Sequence, residues 1–150
     1  YLAKIGRLDV LGPYAEVLAP PAVIAEVERG LERGHLEALQ VRKLVETGRL
    51  HVRKSGRLRG EWNLDAGEKA VLALALKERV DEVVVDDRAA IGVAKYLGLR
   101  PVSVPFLLLR ERRSGRLSQE AFRDSLDRLL SEGYYLSAKL YRELLAAGER

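Results

Sequence analysis

Within "GHLEALQVRKLVETG" the apolar residues fall at 36, 39, 41, 44 and 45, a spacing that predicts a helix ended by Gly48. "EVLAPPAVIAEVERG" predicts a short strand, a Pro-Pro stop, and a helix that starts near Pro21 and ends at Gly30. "YLAKIG" reads as the end of a helix closed by Gly6, and "RLHVRK" alternates as a short strand does. In "LDAGEKAVLALALKERV" the residues from Ala70 to Leu76 are apolar on nearly every face, as in a buried helix. In "EVVVDD" the run Val83–Val85 is uninterruptedly apolar, a strand of the kind covered by helices on both faces. "RAAIGVAKYLG" predicts a helix closed by Gly98, and strand "RPVSV" follows it. "SQEAFRDSLDRLLSEG" and "SAKLYRELLAAG" are amphipathic helices.

Helix and strand in alternation predict an α/β/α sandwich with a mainly parallel central sheet, in one domain spanning residues 1–150. In such sheets ligands bind beyond the carboxyl ends of the strands. Asp86 and Asp87 lie at one such end. Two adjacent acids repel each other unless water or a positive group faces them. Asp87 immediately precedes a helix and has the chemistry of an N-cap, which leaves Asp86 without a capping task. Glu68 stands three residues after Asp65, the spacing of a capping box. Glu26 borders the apolar stripe of Val23, Val27 and Leu31. Taken singly, each acid has a sufficient structural explanation. Taken together, all of them sit at strand ends or early helical turns, which share one edge of a parallel sheet. Hard carboxylate oxygens gathered in one cleft suit Mg²⁺ or Mn²⁺, ions that activate water and stabilise charge on a phosphate.

Composition narrows the alternatives. The absence of cysteine excludes disulfides and thiolate chemistry, and no apolar run approaches the ~18 residues of a membrane span. No secretory leader opens the chain, so a cytoplasmic location is expected. The sequence contains no Met, and Tyr1 is therefore expected to follow further natural residues. One Asn, two Gln and abundant Arg and Glu resemble a thermophile's usage. The net charge of +4 is mildly basic, and the basic residues cluster. Arg53, Lys54, Arg57 and Arg59 form one group, and Arg110, Arg112, Arg113 and Arg116 another, both suited to a polyanionic backbone. His35 and His51 lack partner spacing, and neither a G-x-S-x-G motif nor a P-loop occurs. Trp62, Tyr134 and Tyr135 have faces on which bases stack, although packing is their default use.

The blocks "VLAPPAVIAEV", "LDAGEKAVLALALKERVDEVVVDDRAAIGVAKYLGL" and "RLSQEAFRDSLDRLLSEGYYLSAKLYRELLAAG" resemble PIN-domain proteins, most closely their VapC-toxin-like branch. That resemblance implies an α/β/α nuclease that holds Mg²⁺ or Mn²⁺ with carboxylates and cuts RNA phosphodiesters. By position the family's acids fall on Glu26, on Glu68 and on the Asp86–Asp87 pair, with Asp87 preferred because it directly precedes the helix. The family's Asp at the end of its first strand has no counterpart here, and that strand is expected ahead of Tyr1. The resemblance further implies a homodimer and a small antitoxin protein that covers the site. The alternative is a non-catalytic RNA-binding or protein-interaction module whose acids only cap helices. A signalling receiver domain also carries an acidic pair, but Asp124 and Asp127 lie in a helical pattern where a phosphoacceptor strand would be needed.

Overall fold

The computed structural model describes residues 1–80 and 82–150. They divide into two compact units, residues 11–102 and residues 1–10 with 103–150.

In the first of these, β1 (Leu18–Ala19) stops at Pro20, whose ring leaves no N–H to continue a ladder. Pro20 holds an extended backbone at the N-cap, and Pro21 opens α1 (Pro21–Glu32) where a missing donor costs nothing. α1 outlasts the expected end at Gly30 by two residues. Its true terminator is Gly34, at φ +88°. The Gly34 amide donates to the Leu31 carbonyl, and the His35 amide donates to the Gly30 carbonyl. That pair of bonds is a Schellman ending, and Gly34 is its left-handed residue. α2 (Ala38–Glu46) packs on α1 and closes at Gly48 as its periodicity predicts. β2 (His51–Val52) then runs parallel to β1, with Leu18 opposite His51 and Ala19 opposite Val52.

α3 (Ala66–Glu78) begins with a full capping box. The Glu68 amide donates to Asp65 Oδ1 at 2.8 Å, and Glu68 Oε2 accepts from the Asp65 amide at 3.0 Å. Leu72 to Ala75 are four consecutive buried residues, which places apolar contacts on every face of that turn. β3 (Glu82–Val84) pairs in parallel with β4 (Arg100–Val102), and α4 (Arg88–Tyr96) connects them. Leu58, Leu72, Val83, Val85, Ala90, Ala94 and Leu99 form the shared core.

The architecture is thus α/β with parallel strands, but it differs from a single central sheet. Among the described residues the strands form two separate parallel pairs, β1–β2 and β3–β4, each only two or three residues long. Prolines account for part of this: Pro20 ends β1, and Pro101 gives β4 a residue that cannot donate to a second neighbour. The apolar strand is also covered on one face rather than two. Val83 and Val85 are buried while Val84 between them is 42% exposed.

In the other unit, "YLAKIG" forms one helical turn closed at Gly6. α5 (Val104–Arg113), α6 (Gln119–Ser131) and α7 (Ala138–Glu149) pack on one another around Leu107, Leu108, Phe122, Leu126, Leu129 and Leu144. Pro105 lies in the first turn of α5, where its lack of an N–H is harmless. Ser118 and Ser137 cap α6 and α7, and Asp124 and Asp127 are helical as expected. "FLLL" contributes Leu107, Leu108 and Leu109 to the core, whereas Tyr135 of "YYL" is 82% exposed and is not a core residue.

Candidate metal and nucleic-acid site

Gly67 lies in the first turn of α3, and that turn faces α1. A Cβ built on Gly67 would overlap Glu26 Oε1 and would stand 3.3 Å from Glu26 Cδ and 3.4 Å from Asp65 Oδ1. Glycine therefore lets the Glu26 carboxylate settle against the start of α3, next to Asp65. The position favours an anion, since the first amides of a helix carry partial positive charge.

Glu68 reports the crowding that results. Burial pushes its carboxyl above the ordinary glutamate range, and the bond from the Asp65 amide lowers it. The charges of Asp65, Asp87 and Glu26 then raise it further. Asp87 is the N-cap of α4, its Oδ1 accepting from the Ala90 amide at 3.0 Å. Asp86 follows the end of β3, half-buried. Three of the four predicted acids, Glu26, Glu68 and Asp87, thus share one electrostatic neighbourhood. Asp65 joins it, a member that reading it as a cap alone had concealed.

Carboxylate oxygens are the right donors for Mg²⁺ or Mn²⁺, and a cation would relieve the repulsion registered at Glu68. The placement stops short of a closed cage. Among the described residues no three Asp, Glu, His or Cys side chains converge closely enough to hold an ion. Glu68 and Asp87 each spend one oxygen on a helix amide, whereas Glu26 accepts no hydrogen bond among the described residues. The donor set fits the ion in kind, and gathering it requires side-chain movement.

The basic residues fall into two different situations. Arg53, Lys54, Arg57 and Arg59 are exposed on the irregular segment after β2. Leu58 anchors that segment in the core, and Lys77 Nζ donates to the Lys54 carbonyl at 2.7 Å. In the second group Arg116 grips buried Glu111 with two bonds of 2.7 and 2.8 Å. Arg112 donates to Gln119 Oε1 at 2.9 Å and Arg113 to the Ala147 carbonyl at 3.2 Å, while Arg110 is exposed.

A family model described as PIN domain matches residues 1–149. The chain belongs to the PIN-domain family. PIN domains are a nuclease-type fold and typically use divalent metals, so the gathering of acids at the starts of α3 and α4 lies in a family with the corresponding chemistry. No curated protein and no solved structure matches the chain. No helix among the described residues is long and apolar enough to cross a membrane.

Proposed function

We propose that this PIN domain is a divalent-metal-dependent ribonuclease of the VapC-toxin-like branch, hydrolysing RNA phosphodiesters in the cytoplasm. The observation that carries the reading is the Glu26 carboxylate seated against Gly67 and Asp65 at the start of α3, beside a Glu68 carboxyl raised first by burial and then by the charges of Asp65, Asp87 and Glu26. Such crowding of carboxylates is costly in a merely structural role and useful where a cation is to be held. Glu26, Glu68 and Asp87 would hold Mg²⁺ or Mn²⁺, with Asp86 beside them. The chemistry supplied by such an ion is activation of water and neutralisation of charge on the phosphate. Arg53, Lys54, Arg57 and Arg59 hold the RNA backbone by charge, and Gly67 keeps room for the Glu26 carboxylate. The two parallel strand pairs correspond, in this reading, to parts of the family's sandwich sheet. The same branch implies a homodimer and an antitoxin protein over the acidic site.

A second reading rests on a specific observation. Glu68 and Asp87 do cap helices, as a non-catalytic RNA-binding or protein-interaction module would require. Cleavage of single-stranded RNA by the full chain, with and without Mn²⁺, separates the two. The nuclease reading expects Mn²⁺-dependent cleavage that Asp87→Asn abolishes, and cleavage retained in that variant removes Asp87 from the site. Sedimentation of the full chain tests the homodimer.

A further inference from the structure

Trp62 and Tyr96 form an aromatic pair that the acids and the metal leave unused. Their ring centroids are 5.5 Å apart, with the planes tilted by 58°. Trp62 is fixed on three counts. Its ring packs against the core, its indole N–H donates to the Arg59 carbonyl at 2.8 Å, and the chain turns closely over it at Gly60. Gly60 holds φ +99°, and a Cβ there would lie 2.8 Å from the indole nitrogen. Tyr96, by contrast, is 78% exposed at the last position of α4. A tyrosine that open contributes little to the core, yet it is held beside an immobilised indole.

The charge around this pair is predominantly positive. Residues 53–59 carry Arg53, Lys54, Arg57 and Arg59 without an acid, and Glu61 follows them. α4 carries Arg88 and Lys95 and no acid. Arg88, Gly92, Lys95 and Tyr96 are all exposed and recur at helical spacing. At Gly92 a Cβ would meet nothing within 4 Å, so the helix surface is open there. Nine helical steps lead from Asp87 to Tyr96, about 13.5 Å along the axis. A strand of a few nucleotides crosses that distance.

We infer that Trp62 and Tyr96 are a base-stacking platform for single-stranded RNA, which leaves the acidic site along the exposed face of α4 with Arg57, Arg59 and Lys95 beside its phosphates. The inference rests on the ribonuclease reading and adds to it where the substrate lies. Aromatic faces accept any base, so the platform selects unpaired strands rather than a sequence.

Trp62 is the single tryptophan of the chain, so its emission reads the platform directly. The experiment titrates the full chain with a short oligouridylate and with an RNA duplex, in a chelator that prevents cleavage. The single strand is expected to quench Trp62 emission and the duplex to leave it unchanged. Tyr96→Ala should weaken oligouridylate binding about tenfold, while Tyr96→Phe keeps it and Tyr96→Leu does not. Because Tyr96 is exposed, these variants should melt like the wild type. Absence of quenching, equal quenching by duplex, or wild-type affinity in Tyr96→Ala would each overturn the platform. The nuclease reading is judged separately by adding Mn²⁺. Quenching without cleavage keeps the platform and removes the nuclease, and cleavage with an unchanged KM in Tyr96→Ala does the reverse.

Discussion

Two charged clusters, one in each compact unit, are built in opposite ways. In the unit of residues 1–10 and 103–150, buried Glu111 is gripped by Arg116, Tyr141 donates to Asp127 Oδ1 at 2.6 Å, and Arg7 Nε donates to buried Ser125 at 3.0 Å. Polar groups there are matched, as stability alone requires. In residues 11–102, Glu26, Asp65, Glu68 and Asp87 bring like charge together, and burial, then these charges, raise the Glu68 pKa. Locally unfavourable arrangements that persist in a folded chain mark where a ligand is expected.

Four substitutions break or sharpen that contrast. The largest effect is expected for Asp87→Asn. Asn caps a helix about as well as Asp, so the melting temperature should hold while Mn²⁺-dependent RNA cleavage falls about 100-fold or more. A parallel loss of stability and activity would return Asp87 to a capping role. Next comes Arg116→Ala, which leaves the Glu111 carboxylate buried without its guanidinium. Arg116 is itself 51% exposed, so the cost should be about 2 kcal/mol rather than that of a fully buried pair, read by urea unfolding with cleavage unaffected at low temperature.

Gly67→Ala is the subtler change. The new methyl displaces the flexible end of Glu26 rather than backbone, and Ala favours the helix, so stability should barely move. Mn²⁺ affinity, read by calorimetry, should fall about tenfold because Glu26 is pushed from its place. The smallest effect is that of Glu68→Gln on stability. A carboxyl raised by folding contributes stability that is present below its unfolded pKa and lost as pH rises through the folded one. Gln keeps the capping box and sheds the repelling charge, so the variant should melt above the wild type at pH 7 and converge with it in acid. It should also lose cleavage. A fully active Glu68→Gln would remove Glu68 from the site.

Much of this was legible in the chain. Local chemistry marked the helices well, since Gly48 and Gly98 close α2 and α4 and Asp65 opens α3. The expected end of α1 at Gly30 fails because Gly30 stays helical, and Gly34 takes the left-handed conformation instead. The expectation of cover on both faces came from the apolar run Val83–Val85, but which face of so short a strand is covered depends on partners elsewhere in the sequence. Glu68 and Asp87 were identifiable as acids at helix starts, and Glu26 as an acid bordering the apolar stripe of α1. That Glu26 reaches α3 through the gap left by Gly67 depends on how two helices pack, and spacing along the chain does not encode it.

The most direct test follows the Glu68 carboxyl by NMR as pH is varied, in chelator and then in Mg²⁺. With a shared cation site, Glu68 titrates above an ordinary glutamate in chelator and drops markedly once Mg²⁺ is present, an effect lost in Asp87→Asn. An identical Glu68 curve with and without Mg²⁺ would contradict a cation held among Glu26, Glu68 and Asp87.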